Sequence, residues 1–360
     1  MVIIMWIYDK KDKIESKLKT YIDLSKFPEI KGYNPEEKFE LESFVNNYLN
    51  MGFQGSNLGI GLNIFRKMIE EKKNGLKIFI SFTGNMISSG NRELITYLVK
   101  NKIVDGITTT AAGVEEDIIK SINSFHLGSF ETKGSYLLDE CVGRIGNIFV
   151  PAERYLYLER FLNSVFPKIN NRAEKGDVMS SHEVSKLFGE EIEKNNLTKD
   201  KANSSFLYWA SKNNIPVFCP AINDGAIGDM AVFFRKKNKR FAIDSTKDNE
   251  VLSDLLLNSE KCGSIILGGG TAKHFLLNSA IFRDGFEYSI YITTATEYDG
   301  SDSGGNQEEA ISWAKIKPNA ERVKIASDAT IIFPLLIAGT FNVNPKTNGR
   351  KKGNKNKQKR

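Results

Sequence analysis

Between Tyr298 and Lys315 the chain reads Tyr-Asp-Gly-Ser-Asp-Ser-Gly-Gly-Asn-Gln-Glu-Glu-Ala-Ile-Ser-Trp-Ala-Lys. Carboxylates (Asp299, Asp302, Glu308, Glu309) and the indole face of Trp313 are what a protein offers an organic cation, through charge-assisted hydrogen bonds and cation–π attraction. A polyamine fits that description. A desolvated lysine close to a bound cation has its charged form disfavoured and can attack an imine or carbonyl as a neutral amine. Lys315 is the candidate nucleophile. The structural alternative makes Glu308, Glu309 and Lys315 the wet face of an amphipathic helix, with Trp313 in the core.

Either reading needs a loop feeding a helix. The first half is too rich in Gly and Ser for regular structure. From Asn306 or Gln307 an N-cap candidate and two first-turn acids predict a short helix that gives out near Pro318. On one continuous helix Glu309 and Lys315, six residues apart, would lie about 120° apart. Either the helix unwinds before Lys315 or the pocket reaches both sides.

Strand candidates stand at 76–82, 103–109, 215–219, 240–245, 264–268, 288–294 and 322–326, mostly apolar runs without the alternation of a half-exposed sheet. Met1–Tyr8 reads as a further strand. Helical patterns run from the N-cap Asn34 and Pro35 to before Gly52, over 57–71 and over 91–101. Alternating strands and helices predict an α/β fold: a doubly wound, mostly parallel sheet in one large domain over 33–342. Ligands then sit beyond the strand carboxyl ends, where Thr83–Gly90, Thr108–Asp117, Asn223–Asp229 and Gly268–His274 concentrate Gly, Ser, Thr and Asn. Gly268, Gly270 and Lys273 miss the last glycine of a dinucleotide fingerprint, so these loops read equally as a nucleotide site or as tight turns.

The 360 residues are 41% hydrophobic and 26% charged, an ordinary globular balance. No eighteen-residue apolar run predicts a membrane span, and three cysteines without ligand spacing predict no metal site and a reducing, cytoplasmic setting. The net charge of +6 is uneven: residues 346–360 hold eight Lys or Arg and no acid, leaving +6 − 8 = −2 for the rest. Residues 343–360 are expected to be a disordered basic tail, with nucleic-acid contact as its sharper role, and residues 1–32 a variable segment without an assigned function.

Several motifs together carry a resemblance. Gly-Gly-Gly-Thr-Ala-Lys-His (268–274), Glu-Tyr-Asp-Gly-Ser-Asp-Ser-Gly (297–304), Glu-Glu-Ala-Ile-Ser-Trp-Ala-Lys-Ile (308–316) and Ser-Asp-Ala-Thr-Ile-Ile-Phe-Pro-Leu-Leu (327–336) resemble deoxyhypusine synthase. So do Gly-Phe-Gln-Gly-Ser-Asn (52–57), Asn-Met-Ile-Ser-Ser-Gly (85–90), Gly-Val-Glu-Glu-Asp (113–117), Arg-Ile-Gly-Asn (144–147) and the run from Ile215 to Met230. The likeness spans roughly residues 40–342 in one order and spacing.

The resemblance implies a Rossmann-like site for NAD and transfer of the aminobutyl group of spermidine, through an imine on Lys315, to a lysine of a translation factor 5A precursor. Transfer to a free diamine such as putrescine, as in homospermidine synthesis, and a catalytically silent binding subunit are the competing readings. By the same resemblance His274 is the proton acceptor, and Asp229, Asp302, Glu309 and Trp313 hold spermidine. Asn85, Ser88, Thr110, Ala111, Glu116, Asp224, Thr294, Ala295, Ser303, Asp328 and Ala329 match NAD-contacting positions. A homotetramer with sites shared between paired subunits is also implied. Gly84 stands where Ser is usual, Ala112 where Gly is usual, and Ala314 where Gly commonly precedes the lysine.

Overall fold

The computed structural model describes residues 23–342; the expected first strand, most of the N-terminal segment and the basic tail lie outside them. Apolar runs form the strands β1 (Lys77–Phe82), β2 (Gly106–Thr109), β6 (Val217–Phe218), β7 (Cys262–Leu267), β8 (Phe286–Thr293) and β9 (Ile316–Ala326) of one sheet. Every pairing in it is parallel. The order β6-β2-β1-β7-β8-β9 is, in chain order, 3-2-1-4-5-6, the arrangement of dinucleotide-binding folds. The chain winds one way from β1 and the other from β7, so the topological switch point lies between these two central strands. Helices Phe53–Lys72 and Ala329–Phe341 pack with the apolar core around β8 and β9, while Ala111–Lys120, Glu153–Glu174 and Ser181–Lys194 pack on one another, the last also against β6.

A small antiparallel sheet of β3 (His126–Leu127), β4 (Val142–Ile145) and β5 (Ile148–Pro151) is inserted between β2 and β6. No strand was expected there, because two- to four-residue strands are too short to show a period.

Three local expectations need correction. Asn34 caps only a turn, its Oδ1 accepting the Glu36 N–H at 3.1 Å, and the helix begins at Leu41. Residues 240–245 form no strand; Asp244 N–H bonds Met179 at 2.8 Å, but no ladder follows. The helix expected to reach Pro318 ends at Ser312, and Pro318 lies in β9, whose edge position requires no N–H there.

Candidate active site

The loops after β1, β2 and β7 meet at the switch point. A Cβ on Gly268 (φ +85°) would stand 3.2 Å from Thr83 Oγ1, so the side chain at the head of the first loop packs on the glycine that follows β7. The Gly84 N–H donates to Thr110 Oγ1 at 3.0 Å, tying the first loop to the second. Ser88 is buried on the short helix Asn85–Ser88 and its hydroxyl donates to Glu116 of helix Ala111–Lys120. Burial pushes the Glu116 carboxyl up to about 7, although the Ser88 bond pulls the other way. One turn on, Lys120 Nζ donates to the carbonyls of Ile87 (2.8 Å), Ser88 (3.2 Å) and Ser89 (3.1 Å), closing the short helix.

The remaining residues matched to cofactor contacts also lie on carboxyl-end loops. Asn85 is exposed after β1 and Ala111 is buried after β2. Thr294 and Ala295 follow β8, and Asp224 is exposed after β6. Asp328 follows β9 and caps helix Ala329–Phe341, its Oδ1 accepting the Thr330 N–H at 2.7 Å. Ser303 packs on the glycine turn after β7: a Cβ on Gly269 would fall 2.3 Å from Ser303 Cα.

Asp302 and Glu309 are both exposed and flank the start of helix Gln307–Ser312, whose cap is Asn306 Oδ1 accepting the Glu309 N–H at 3.0 Å. The helix does unwind before the lysine. Ala314 N–H bonds Ile311 and Lys315 N–H bonds Ala310, both at 2.9 Å, with Ala314 at φ +55°. That pair of bonds is a Schellman cap, whose left-handed residue favours glycine. Lys315 is half-buried just ahead of β9, and its carbonyl accepts the Phe286 N–H at 3.2 Å. Trp313 is 63% exposed, which removes the reading of it as core. His274 is exposed on helix Gly270–Ser279, with Asn278 Nδ2 3.0 Å from its Nδ1. Lys273, beside it, is buried and feels the charges of Asp302, Glu309 and Lys315, which places these groups in one neighbourhood.

Asp229 stands apart. It is exposed in the first turn of helix Ala226–Lys237, which follows β6, whereas Lys315 opens β9. These are opposite edges of the sheet, five strand spacings or about 24 Å apart. Among the described residues no hydrogen bond or ion pair links Asp229 to the Lys315 group.

One carboxylate here went unassigned from the sequence. Glu115 is buried, and its Oε2 accepts the Ile227 N–H at 3.0 Å at the start of the Asp229 helix. Burial raises its carboxyl above the usual range, opposed by the backbone donors of Ile227 and Ala226. The available signal was Glu115-Glu116-Asp117 within an apolar helix: three successive acids cannot all face water. Asp117 instead pairs with Arg92 at 2.7 Å and accepts the Ser205 hydroxyl at 2.6 Å.

The family model for deoxyhypusine synthase matches residues 43–340. A "Probable deoxyhypusine synthase" of Methanocaldococcus jannaschii is 45% identical over 314 residues, covering 86% of this chain and 95% of that one. The deoxyhypusine synthase of Musa acuminata is 37% identical, covering 89% and 88%. The chain belongs to the deoxyhypusine synthase family. A crystal structure assigned to a deoxyhypusine synthase of Entamoeba histolytica superposes with a TM-score of 0.59 at 27% identity, over 87% of this chain and 97% of that one. Family membership makes the chain an aminobutyl transferase. A Cβ on Gly84 would lie 2.4 Å from the Ala112 Cβ, so two of the positions that depart from the resemblance face each other across one contact.

Proposed function

We propose that this chain is a deoxyhypusine synthase that uses NAD to move the 4-aminobutyl group of spermidine, through an imine on Lys315, to a lysine of a translation factor 5A precursor. The observation that carries the reading is one short helix with Asp302 and Glu309 at its start and, at its end, the exposed Trp313 and a Schellman cap that leads straight into Lys315. Asp302 and Glu309 would hold ammonium groups, and the exposed indole would cover the methylene chain and its charge. His274 would take the proton released as the substrate carbon is oxidised. Lys315 attacks the resulting imine carbon, and 1,3-diaminopropane leaves.

The residues present fit NAD. The 3-2-1-4-5-6 strand order, the left-handed glycine Gly268 directly after β7 and the buried Glu116 carboxyl on the helix after β2 suit a pyrophosphate and a ribose diol. When bound, the cofactor supplies a hydride acceptor and later returns the hydride. Asn85, Ser88, Thr110, Ala111, Glu116, Asp224, Thr294, Ala295, Ser303, Asp328 and Ala329 would hold it.

The separation of Asp229 from Lys315 supports a site completed by a second copy, in keeping with the tetramer that the resemblance implies. The exposure of His274, Asp302, Glu309 and Trp313 agrees with a surface that is covered on pairing. The test is transfer of label from spermidine in the presence of NAD, offered a matching factor 5A precursor or putrescine. Labelled precursor is the expected product; efficient homospermidine formation without labelled precursor would contradict the assignment of acceptor.

A further inference from the structure

Two lysines grip the backbone of the loop that carries Asp302. Lys273 is 3% exposed; its Nζ donates to the carbonyls of Asp302 and of Gly305, the latter at 3.1 Å, and lies 5.1 Å from the Tyr291 ring centre. Lys324, from β9, donates to the carbonyl of Gly304 at 2.6 Å. Ammonium groups from two different elements therefore engage three carbonyls within four residues. Below, the loop rests on Gly269, and at Gly304 a Cβ would collide with the Thr296 carbonyl at 1.6 Å.

Neither lysine forms a salt bridge among the described residues, although carboxylates are close. The Glu309 Oε2 and the Lys273 Nζ stand 3.1 Å and 3.4 Å from the position of a Cβ on Gly305. Burial holds the Lys273 ammonium below the usual lysine range; the charges of Asp302 and Glu309 favour its protonated form, and those of Lys324 and Lys315 oppose it. An ammonium spent on a carboxylate would neutralise a group needed for a cationic ligand. One spent on carbonyls fixes the same loop and leaves the carboxylate free.

We propose that Lys273 and Lys324 are positioning residues that clamp the Asp302–Gly305 loop from two sides and aim the Asp302 carboxylate at a cationic substrate while leaving it unpaired. The proposal rests on the aminobutyl-transfer reading for its substrate, but not for its geometry.

The test uses the full chain with Lys273→Met, Lys324→Met, Lys324→Arg and Asp302→Asn. Amide hydrogen exchange without ligand should be about tenfold or more faster over 298–306 in both Met variants and unchanged in helix 53–72. Their KM for spermidine should rise about tenfold with kcat within about threefold, while Lys324→Arg stays within about twofold of wild type in both readouts. Asp302→Asn should raise KM without faster exchange, separating the carboxylate from the clamp. Wild-type exchange in the loop of a natively melting Lys273→Met or Lys324→Met overturns the proposal; should Lys273→Met fail to fold, the more exposed Lys324→Met decides. No turnover of spermidine by wild type would defeat the transfer reading, and the exchange comparison would still decide the clamp.

Discussion

Glu116 shows how one buried group couples the site to stability. Its carboxyl is pushed up to about 7 in the folded protein, from 4.5 for a free glutamate, because burial penalises the charge more than Ser88 relieves it. The folded protein thus holds this proton more tightly than the unfolded chain. The stability it contributes is full below about 4.5 and is lost as pH rises through about 7, on the order of 3 kcal/mol. Glu116→Gln should flatten the fall in apo-protein melting temperature between pH 5 and 8 and weaken NAD binding; an unchanged slope would refute the first part. At the neighbouring contact, Gly84→Ser should cost about 1–3 kcal/mol by overpacking against Ala112. Adding Ala112→Gly should restore much of that loss in urea unfolding, whereas additive losses would mean that the two positions are independent. Sequence alone names these two departures without relating one to the other. Their adjacency arises from two loops that the parallel sheet brings together, which no local pattern encodes.

At the scale of elements, the helix Gln307–Ser312 was legible at its start and not at its end. Asn306, Glu308 and Glu309 are cap and first-turn residues with local signals, and the structure uses them so. The termination depends on Ala314 at φ +55°, where the usual glycine marker is missing, so a stop was sought at Pro318 instead. Ala314→Gly should relieve left-handed strain and stabilise the protein by about 0.5–1 kcal/mol in chemical unfolding. Destabilisation would show that the alanine methyl makes packing contacts worth more than the strain. The long apolar strands were legible for the same reason as the cap, since their composition is local. The segment 240–245 was misread because a strand needs a ladder partner, and a short β-like run does not reveal that none is available. Lys315, the proposed nucleophile, stands outside the carboxyl-end loops, just ahead of β9 and beside Phe286 at the start of β8.

For the whole molecule, the strand order places Asp229 and Lys315 at opposite edges, while the resemblance assigns both to one spermidine. Two copies related by a symmetry axis, as proposed above, would satisfy both statements, each site taking Lys315 from one copy and Asp229 from the other. Motif spacing could name these residues but not say which copy supplies them, because separation across a sheet is a property of topology. Among the described residues no helix is long and apolar enough to cross a membrane. The most direct measurement is borohydride trapping with NAD and labelled spermidine, followed by peptide mass spectrometry, on wild type, on Asp229→Ala, on Lys315→Ala and on the two variants co-expressed with distinguishable tags. The account predicts label on Lys315 of wild type, little on either variant alone, and label regained on Lys315 of the Asp229→Ala chain in the mixed assembly. Label on another residue, or on none, in wild type would contradict the covalent role of Lys315; labelled wild type with a silent mixed assembly would contradict the shared site.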